Sequence, residues 1–257
     1  MGERMATSNE QTYRSRDVVA FYAQASALQP PEAAILSHIQ SRRPPPRMLD
    51  LGVGGGRTTA RFSSFARSYV GADYSEEMVR ACAARFPNLR FIRADARAMP
   101  ELENASFDFV LFSHNGIDYV DEEGRRRVLH EVHRLLAPGG SFAFSTHNLN
   151  SCRALFFGAR TDGLLTKLTQ ALRRAKVRRL NPRWDELRHR DAAFITDGAF
   201  QFRLTTYYIK PGAQFAQLKV AGFDHVKVFG LQAGALLEGE ALSTCEDPWL
   251  YYFCDAV

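Results

Sequence analysis

The chain has 257 residues, 46% of them apolar and 24% charged, with a formal net charge of +5. That size and apolar fraction suit one large domain with a sizeable core and exclude a disordered or fibrous chain. No apolar run reaches the ~20 residues needed to span a bilayer and no secretory signal is visible, so a cytoplasmic protein without a membrane span is expected. The four cysteines, Cys82, Cys152, Cys245 and Cys254, show neither Cys-x-x-Cys pairing nor a histidine at metal-ligand spacing. Reduced structural thiols and no metal are expected.

Residues 1–12 are polar, and 15–28 and 31–41 read as two N-terminal helices. Pro44, Pro45 and Pro46 then mark an element boundary. The run MLDLGVGGGRTT at 48–59 predicts a strand from Arg47 to Leu51, a tight turn at Gly52, Gly54, Gly55 and Gly56, and a helix beginning near Arg57 or Thr58. Glycine supplies positive φ and removes the Cβ that would strike a ligand. SYVGAD predicts a second strand ending at Asp73, about twenty residues on, where an acid can take both ribose hydroxyls of a nucleoside. The glycine spacing is G-x-G-x-G, and Asp50 precedes it by two residues. A carboxylate facing that turn suits a cationic ammonium and sulfonium better than an anionic pyrophosphate, which points to S-adenosylmethionine rather than a dinucleotide.

With acid-x-Gly-x-Gly-x-Gly in place, the stretch resembles the class I S-adenosylmethionine-dependent methyltransferases of small-molecule type. Further landmarks follow in order: FIRADARAMP, then FDFVLFSHNGIDYV at 107–120, then RVLHEVHRLLAPGGSFAFSTHN at 127–148, which reads as an amphipathic helix, a Pro-Gly-Gly turn and a fifth strand. The resemblance covers roughly residues 45 to 148. It implies that Gly52, Gly54 and Gly56 meet the methionine portion of the cofactor, with Asp50 near its ammonium and Arg57 at its carboxylate. It implies Asp73, followed by Tyr74 and Ser75, at the ribose, Asp95 and Ala96 at the adenine, and Met78 and Ser113 among the cofactor-binding residues. Tyr22, on an N-terminal helix, and less so Tyr13, would cap it. The product would be S-adenosylhomocysteine.

The later chain reads as a helix at 211–221, Gly222, a strand at 223–229 and a terminal strand in WLYYFCDAV. The fold expected is α/β: a Rossmann-like, doubly wound, mostly parallel seven-stranded sheet with an antiparallel last strand, plus N-terminal helices and an inserted basic helical cap. Within one methyltransferase domain over 1–257, the reading assigns 1–42 to an N-terminal helical cap, 43–150 to the cofactor-binding core, 151–204 to a basic insertion or lid, and 205–257 to the C-terminal part of the sheet.

The insertion holds the basic character of the chain. Residues 153–190 carry eleven Lys or Arg against three Asp or Glu, a net of +8, so everything else sums to −3. In GLLTKLTQALRRAKVRRL the residues Leu164, Leu165, Leu168, Leu172 and Ala175 recur at helical spacing. This predicts that the stripe packs inward and that Lys167, Arg173, Arg174, Lys176, Arg178 and Arg179 face away. The face reads as a solvated surface, a pocket wall for an acidic small molecule, a nucleic-acid contact, or a membrane-surface or partner docking face. Only Phe156, Phe157 and Trp184 could serve there for base stacking.

Methyl transfer from a sulfonium needs alignment, desolvation and a deprotonated nucleophile, so catalytic groups are sought at the carboxyl ends of strands. His114 and His147 occupy such ends, each followed by asparagine, and are the candidate general bases. Asn115, Asp118, Tyr119 and Asn148 on the same loops, with Tyr207 and Tyr208 after the insertion, are the candidate substrate contacts. His130 and His133 are expected to face solvent, with no third ligand to make a metal site. The expected activity is transfer of a methyl group from S-adenosylmethionine to O or N of a small polar metabolite, acidic or sugar-like. The alternatives are an RNA methyltransferase that uses the basic insertion and a non-catalytic cofactor-binding protein.

Overall fold

The computed structural model describes residues 9, 12, 27–41, 43–158 and 164–257, the side chains of 164–168 excepted. The chain enters helix α1 (Pro30–Gln40) through two prolines that pre-set the first helical turn, then strand β1 (Arg47–Leu51). It continues through α2 (Thr59–Ser63), β2 (Ser68–Asp73), α3 (Glu76–Arg85), β3 (Arg90–Arg93), β4 (Phe107–Phe112), α4 (Glu122–Leu135) and β5 (Leu136–Asn148). Helices α5 (Arg153–Phe157), α6 (Leu164–Leu180) and α7 (Trp184–Leu187) follow, then β6 (Ala192–Ile195) and β7 (Thr206–Ile209). The last elements are α8 (Pro211–Val220), β8 (Phe223–Gly230), β9 (Leu236–Leu237), α9 (Gly239–Ser243) and β10 (Trp249–Ala256).

The central strands lie in the order β3-β2-β1-β4-β5-β10-β8-β9. β1 to β5 are mutually parallel, and β10 inserts antiparallel between β5 and β8, as the sequence predicts for the terminal strand. Beyond the seven strands expected, the sheet contains β9 and the antiparallel pair β6 and β7, with β7 alongside the end of β5.

The strands read as near-continuous apolar runs because both faces of the sheet are covered, and alternate residues serve the two sides. Leu49, Val110, Phe144 and Tyr252 join one core with Val128, Leu129 and Val132 of α4 and Leu218 of α8. Met48, Phe109, Ala143 and Tyr251 join the other with Ile35 and Ile39 of α1 and with Phe62.

Local details differ from the sequence reading. The helix after the glycine turn starts only at Thr59 and is five residues long. The Pro-Gly-Gly turn sits inside β5, where the register against β4 shifts between Phe107 and Phe109, so it forms an irregularity of the strand rather than a preceding turn. His130 is exposed, but His133 rests edge-on against Phe223 at 5.5 Å, and its Nε2 lies 3.2 Å from the Val257 carbonyl.

The largest correction concerns α6. Its inward anchor is Val177, 1% exposed in a small core with Phe156, Leu187 and Ile195, whereas Leu172 and Ala175 face solvent. Several arginines expected to point outward turn back: Arg173 donates to the Asp197 carbonyl, Arg174 to that of Phe157 and Arg178 to that of Phe156. Long basic side chains can lay their methylene stems along the protein in this way. The Lys167 side chain lies outside the described residues.

Candidate cofactor and acceptor site

A cavity of about 510 Å³ opens at the carboxyl ends of β1, β2 and β4, where the strand order reverses across β1 and β4. Its floor is the turn after β1. Gly52 and Gly54 have φ of +58° and +54°, and a Cβ on Gly52 would come within 2.7 Å of the Phe112 ring. The backbone thus lies where a side chain would otherwise fill the space. Gly55 lines the cavity, but Gly56 does not: it packs against Phe86 and Cys82, where a Cβ would meet the Phe86 ring at 2.7 Å. Its expected role at the cofactor is therefore replaced by one in packing helix against turn.

Asp73 ends β2 in the cavity wall. Its carboxylate accepts from the Gly54 N–H at 3.0 Å and the Ser75 N–H at 2.9 Å, which fixes it to the glycine turn. Burial pushes its pKa up to about 6, against the lowering effect of those backbone bonds. Tyr74, Met78 and Ala96 also line the cavity. Asp95 lines it too, held by Arg97 through contacts of 3.0 and 2.5 Å. Burial would raise the Asp95 pKa, but the guanidinium outweighs it and keeps the carboxyl below the usual range.

Asp50 lines the cavity at 1% exposure, with one oxygen accepting from Thr58 Oγ1 and the Tyr69 hydroxyl, both at 2.7 Å. Burial raises its pKa to about 6, partly offset by those hydrogen bonds. Arg57 also lines the cavity, but its guanidinium already grips Glu32 through two contacts of 2.5 Å and donates to Ser113 Oγ at 2.9 Å. Burial alone would raise the Glu32 pKa, yet the Arg57 pair holds it below normal. Sequence reasoning missed Glu32. The signal was Gln29-Pro-Pro-Glu32, an acid three residues into a helix begun by proline, whose Oε2 accepts from the Gln29 N–H at 2.7 Å. Ser113 lines the cavity and contacts Glu32 and the Tyr251 hydroxyl.

The loop after β4 is backbone-strained. His114 and Asn115 have φ of +56° and +62°, a conformation that non-glycine residues adopt at a cost and that clusters at functional sites. His114 lines the cavity, and burial together with the Arg57 charge lowers its pKa to about 4. The imidazole is neutral at physiological pH. Tyr119 lines the cavity as well, and its main-chain oxygen accepts from Asn9 Nδ2 at 3.1 Å.

The remaining candidates sit behind this wall. His147 does not line the cavity: its Nδ1 lies 2.7 Å from Asp118, and its ring packs 4.8 Å from Tyr208 and 6.4 Å from Tyr119. Asp118, fully buried, also accepts from the His147 N–H, Thr146 Oγ1 and Arg125 Nη1, so its oxygens are committed inside the protein. Arg125, also fully buried, reaches Gln214 and Gln217 and lies 4.8 Å over the Tyr207 ring. Asn115 holds His147 Nε2 at 3.4 Å, and its Oδ1 is buried without a partner among the described residues. Asn148 donates to the Cys245 and Asp247 carbonyls, Tyr207 accepts from Gln217, and Tyr208 donates to Asp197. These bonds place Asn148, Tyr207, Tyr208 and Asp118 in the framework rather than at the cavity. Tyr13 and Tyr22 lie outside the described residues. No described residue of 151–204 lines the cavity either, so the insertion does not form its wall.

A glycine turn, a strand-end acid fixed by backbone N–H groups and a cavity at the topological switch define a nucleoside-cofactor-binding α/β protein. Residues 48–140 match the family model described as a methyltransferase domain. A demethylmenaquinone methyltransferase of Renibacterium salmoninarum is 34% identical over 97 residues, which is 38% of this chain and 39% of that protein. The match to such curated relatives therefore spans about two fifths of their length. Among solved structures, an S-adenosylmethionine-dependent methyltransferase from Mesorhizobium loti shares the fold with a TM-score of 0.59 at 21% identity, over 88% of this chain and 97% of that one. The 1,6-didemethyltoxoflavin-N1-methyltransferase of Burkholderia thailandensis, solved with S-adenosylhomocysteine, gives 0.60 at 16% identity over 98% and 88%. Residues 48–140 thus match a methyltransferase domain, and the chain shares its fold with S-adenosylmethionine-dependent methyltransferases of known structure.

Proposed function

We propose that the protein transfers a methyl group from S-adenosylmethionine to an oxygen or nitrogen of a small polar acceptor. The observation that carries this reading is Asp73: an anchored acid on the cavity wall, one side chain away from a glycine turn whose backbone is open to a ligand. Asp73 accepts the ribose hydroxyls, Asp95 and Ala96 border the adenine, and the Gly52 to Gly55 turn lies along the methionine portion. Asp50 faces the ammonium, whose positive charge favours the ionised carboxyl. Arg57, whose four terminal N–H groups already meet Glu32, Ser113 Oγ and the Ala27 carbonyl, has only its Nε–H left to offer the carboxylate. When bound, the cofactor supplies a methyl group already activated on a sulfonium, so the protein's task is alignment and water exclusion.

His114 lies on the same cavity wall and is the residue we assign to contact the acceptor. With a pKa near 4 it is a weak base and a ready hydrogen-bond acceptor, which suits a nucleophile that reacts in its neutral form. His147 is assigned a positioning role, with Asp118 holding its tautomer and Asn115 between it and the cavity loop. The reading keeps 43–150 as cofactor core, 1–42 as an N-terminal cap, 151–204 as an insertion and 205–257 as completion of the sheet. An acidic acceptor gripped by the insertion loses its support, since those arginines lie away from the cavity.

The test incubates the protein with methyl-labelled S-adenosylmethionine and cell extract, then separates small molecules, RNA and protein. Label in the small-molecule fraction that disappears with Asp73→Ala is the expected result. Label confined to RNA would transfer the assignment to nucleic acid, and no label despite cofactor binding would leave a sensor.

A further inference from the structure

Glu32 is a buried acid to which the proposed reaction gives no task of its own. It is 0% exposed and stands behind Arg57 rather than on the cavity wall. Its carboxylate meets both terminal nitrogens of Arg57 at 2.5 Å, the Gln29 N–H and the Tyr251 hydroxyl at 2.7 Å, and the Ser113 hydroxyl. Burial would raise its pKa, but these donors hold it below normal, so the acid is ionised inside the protein. Arg57 does line the cavity, and its Nη2 donates to Ser113 Oγ at 2.9 Å. Ser113 immediately precedes His114, so the ion pair lies beside the end of the cavity where the acceptor is assigned. Both charges are felt there: burial lowers the His114 pKa most, the Arg57 charge lowers it further, and the Glu32 charge pushes it back up.

Taking the cofactor to be S-adenosylmethionine, as above, we propose that Glu32 tunes the site toward the charged methyl donor and away from its neutral product, by cancelling the Arg57 charge beside the sulfur. Donor and product share the adenosine, the ammonium and the carboxylate. They differ in one methyl group and in one positive charge on sulfur, which methyl transfer removes. A protein charge near the sulfur therefore acts on the donor's sulfonium and not on the product's thioether, whereas its effects on the ammonium and carboxylate are common to both. An uncompensated guanidinium at this place repels the donor alone. With Glu32 ionised the pair is neutral, and Asp50 remains as the acid facing the methionine portion. Glu32 is thus a positioning residue in the electrostatic sense: it touches no ligand and acts through Arg57.

The test is calorimetric titration of S-adenosylmethionine and of S-adenosylhomocysteine, without acceptor and at about pH 8, into the full-length wild-type protein and its variants. The quantity read is the ratio of donor affinity to product affinity. In Glu32→Gln that ratio should fall roughly fivefold or more, whatever the two affinities do together. The double variant Glu32→Gln with Arg57→Gln removes both charges and should bring the ratio back to within about twofold of wild type. Arg57→Gln alone leaves the acid uncancelled and should move the ratio the opposite way, so the charge effect is read even if Glu32→Gln fails to fold. Damage to packing from breaking the buried pair weakens both ligands alike and leaves the ratio where it was. A ratio unmoved in the single variants, or one that falls in Glu32→Gln and stays low in the double variant, would overturn the proposal while leaving the cofactor assignment intact. Failure of both ligands to bind the wild-type protein would overturn that assignment and the proposal with it.

Discussion

Asp73 links burial to ligand chemistry at a single residue. Its folded pKa near 6 lies above the 3.8 of a free aspartate, so relative to the unfolded chain the unliganded fold favours the protonated form. That contribution to stability is complete below about pH 4 and is lost as pH rises through 6. Ribose hydroxyls donate to the ionised form, so affinity follows the opposite course. The Kd for S-adenosylhomocysteine should tighten between pH 5 and 7.5 with its inflection near 6, and Asp73→Asn should flatten the part that belongs to this carboxyl. Calorimetry across that range checks both. His114 carries the reverse sign: its pKa is lowered from 6.5 to about 4, so its stabilising contribution is present above 6.5 and lost as pH falls through 4. His114→Ala should therefore blunt the fall of melting temperature on acidification. It should also lower kcat by roughly tenfold to a hundredfold while leaving cofactor affinity within a factor of about two.

At the scale of elements, the loop after β4 and the end of β5 are tied together by one buried polar group. Arg125 reaches from α4 to Asp118, Thr146 and Gln214 with no solvent exposure, and Asp118 in turn fixes His147. Arg125→Met leaves a buried carboxylate uncompensated and should cost about 3–5 kcal/mol of stability. The double variant Arg125→Met with Asp118→Asn should recover part of that loss, and urea unfolding of the single and double variants measures the coupling. The sequence shows the loop and its polar residues but not their direction. Asp118 looks like a substrate contact from its neighbours, yet its partners come from α4 and β5, and only the fold brings these together. Helix α6 shows the same limit: helical period points Leu172 and Ala175 inward, but Phe156, Leu187 and Ile195 close on Val177 instead, and Leu172 and Ala175 are left exposed.

For the whole molecule, the sheet was legible because strands covered on both faces must be apolar throughout, and because Gly52, Gly54 and Asp73 answer to local backbone constraints. Asp50, Asp73, Asp95 and the pair Ser113–His114 come from four separate segments and line one cavity, as expected of strand ends in a doubly wound sheet. Glu32 was missed and Gly56 placed at the cofactor because their partners, Arg57 and Phe86, are known only once α1 and α3 are packed. The central claim is that this cavity holds S-adenosylmethionine on Asp73, and its most direct test is calorimetric titration of S-adenosylhomocysteine and of NAD into the wild-type protein and Asp73→Ala. The account predicts one-to-one binding of S-adenosylhomocysteine, weakened roughly tenfold or more by Asp73→Ala through loss of charge-assisted hydrogen bonds, and no binding of NAD. Binding of NAD in its place, or S-adenosylhomocysteine affinity untouched by Asp73→Ala, would contradict it.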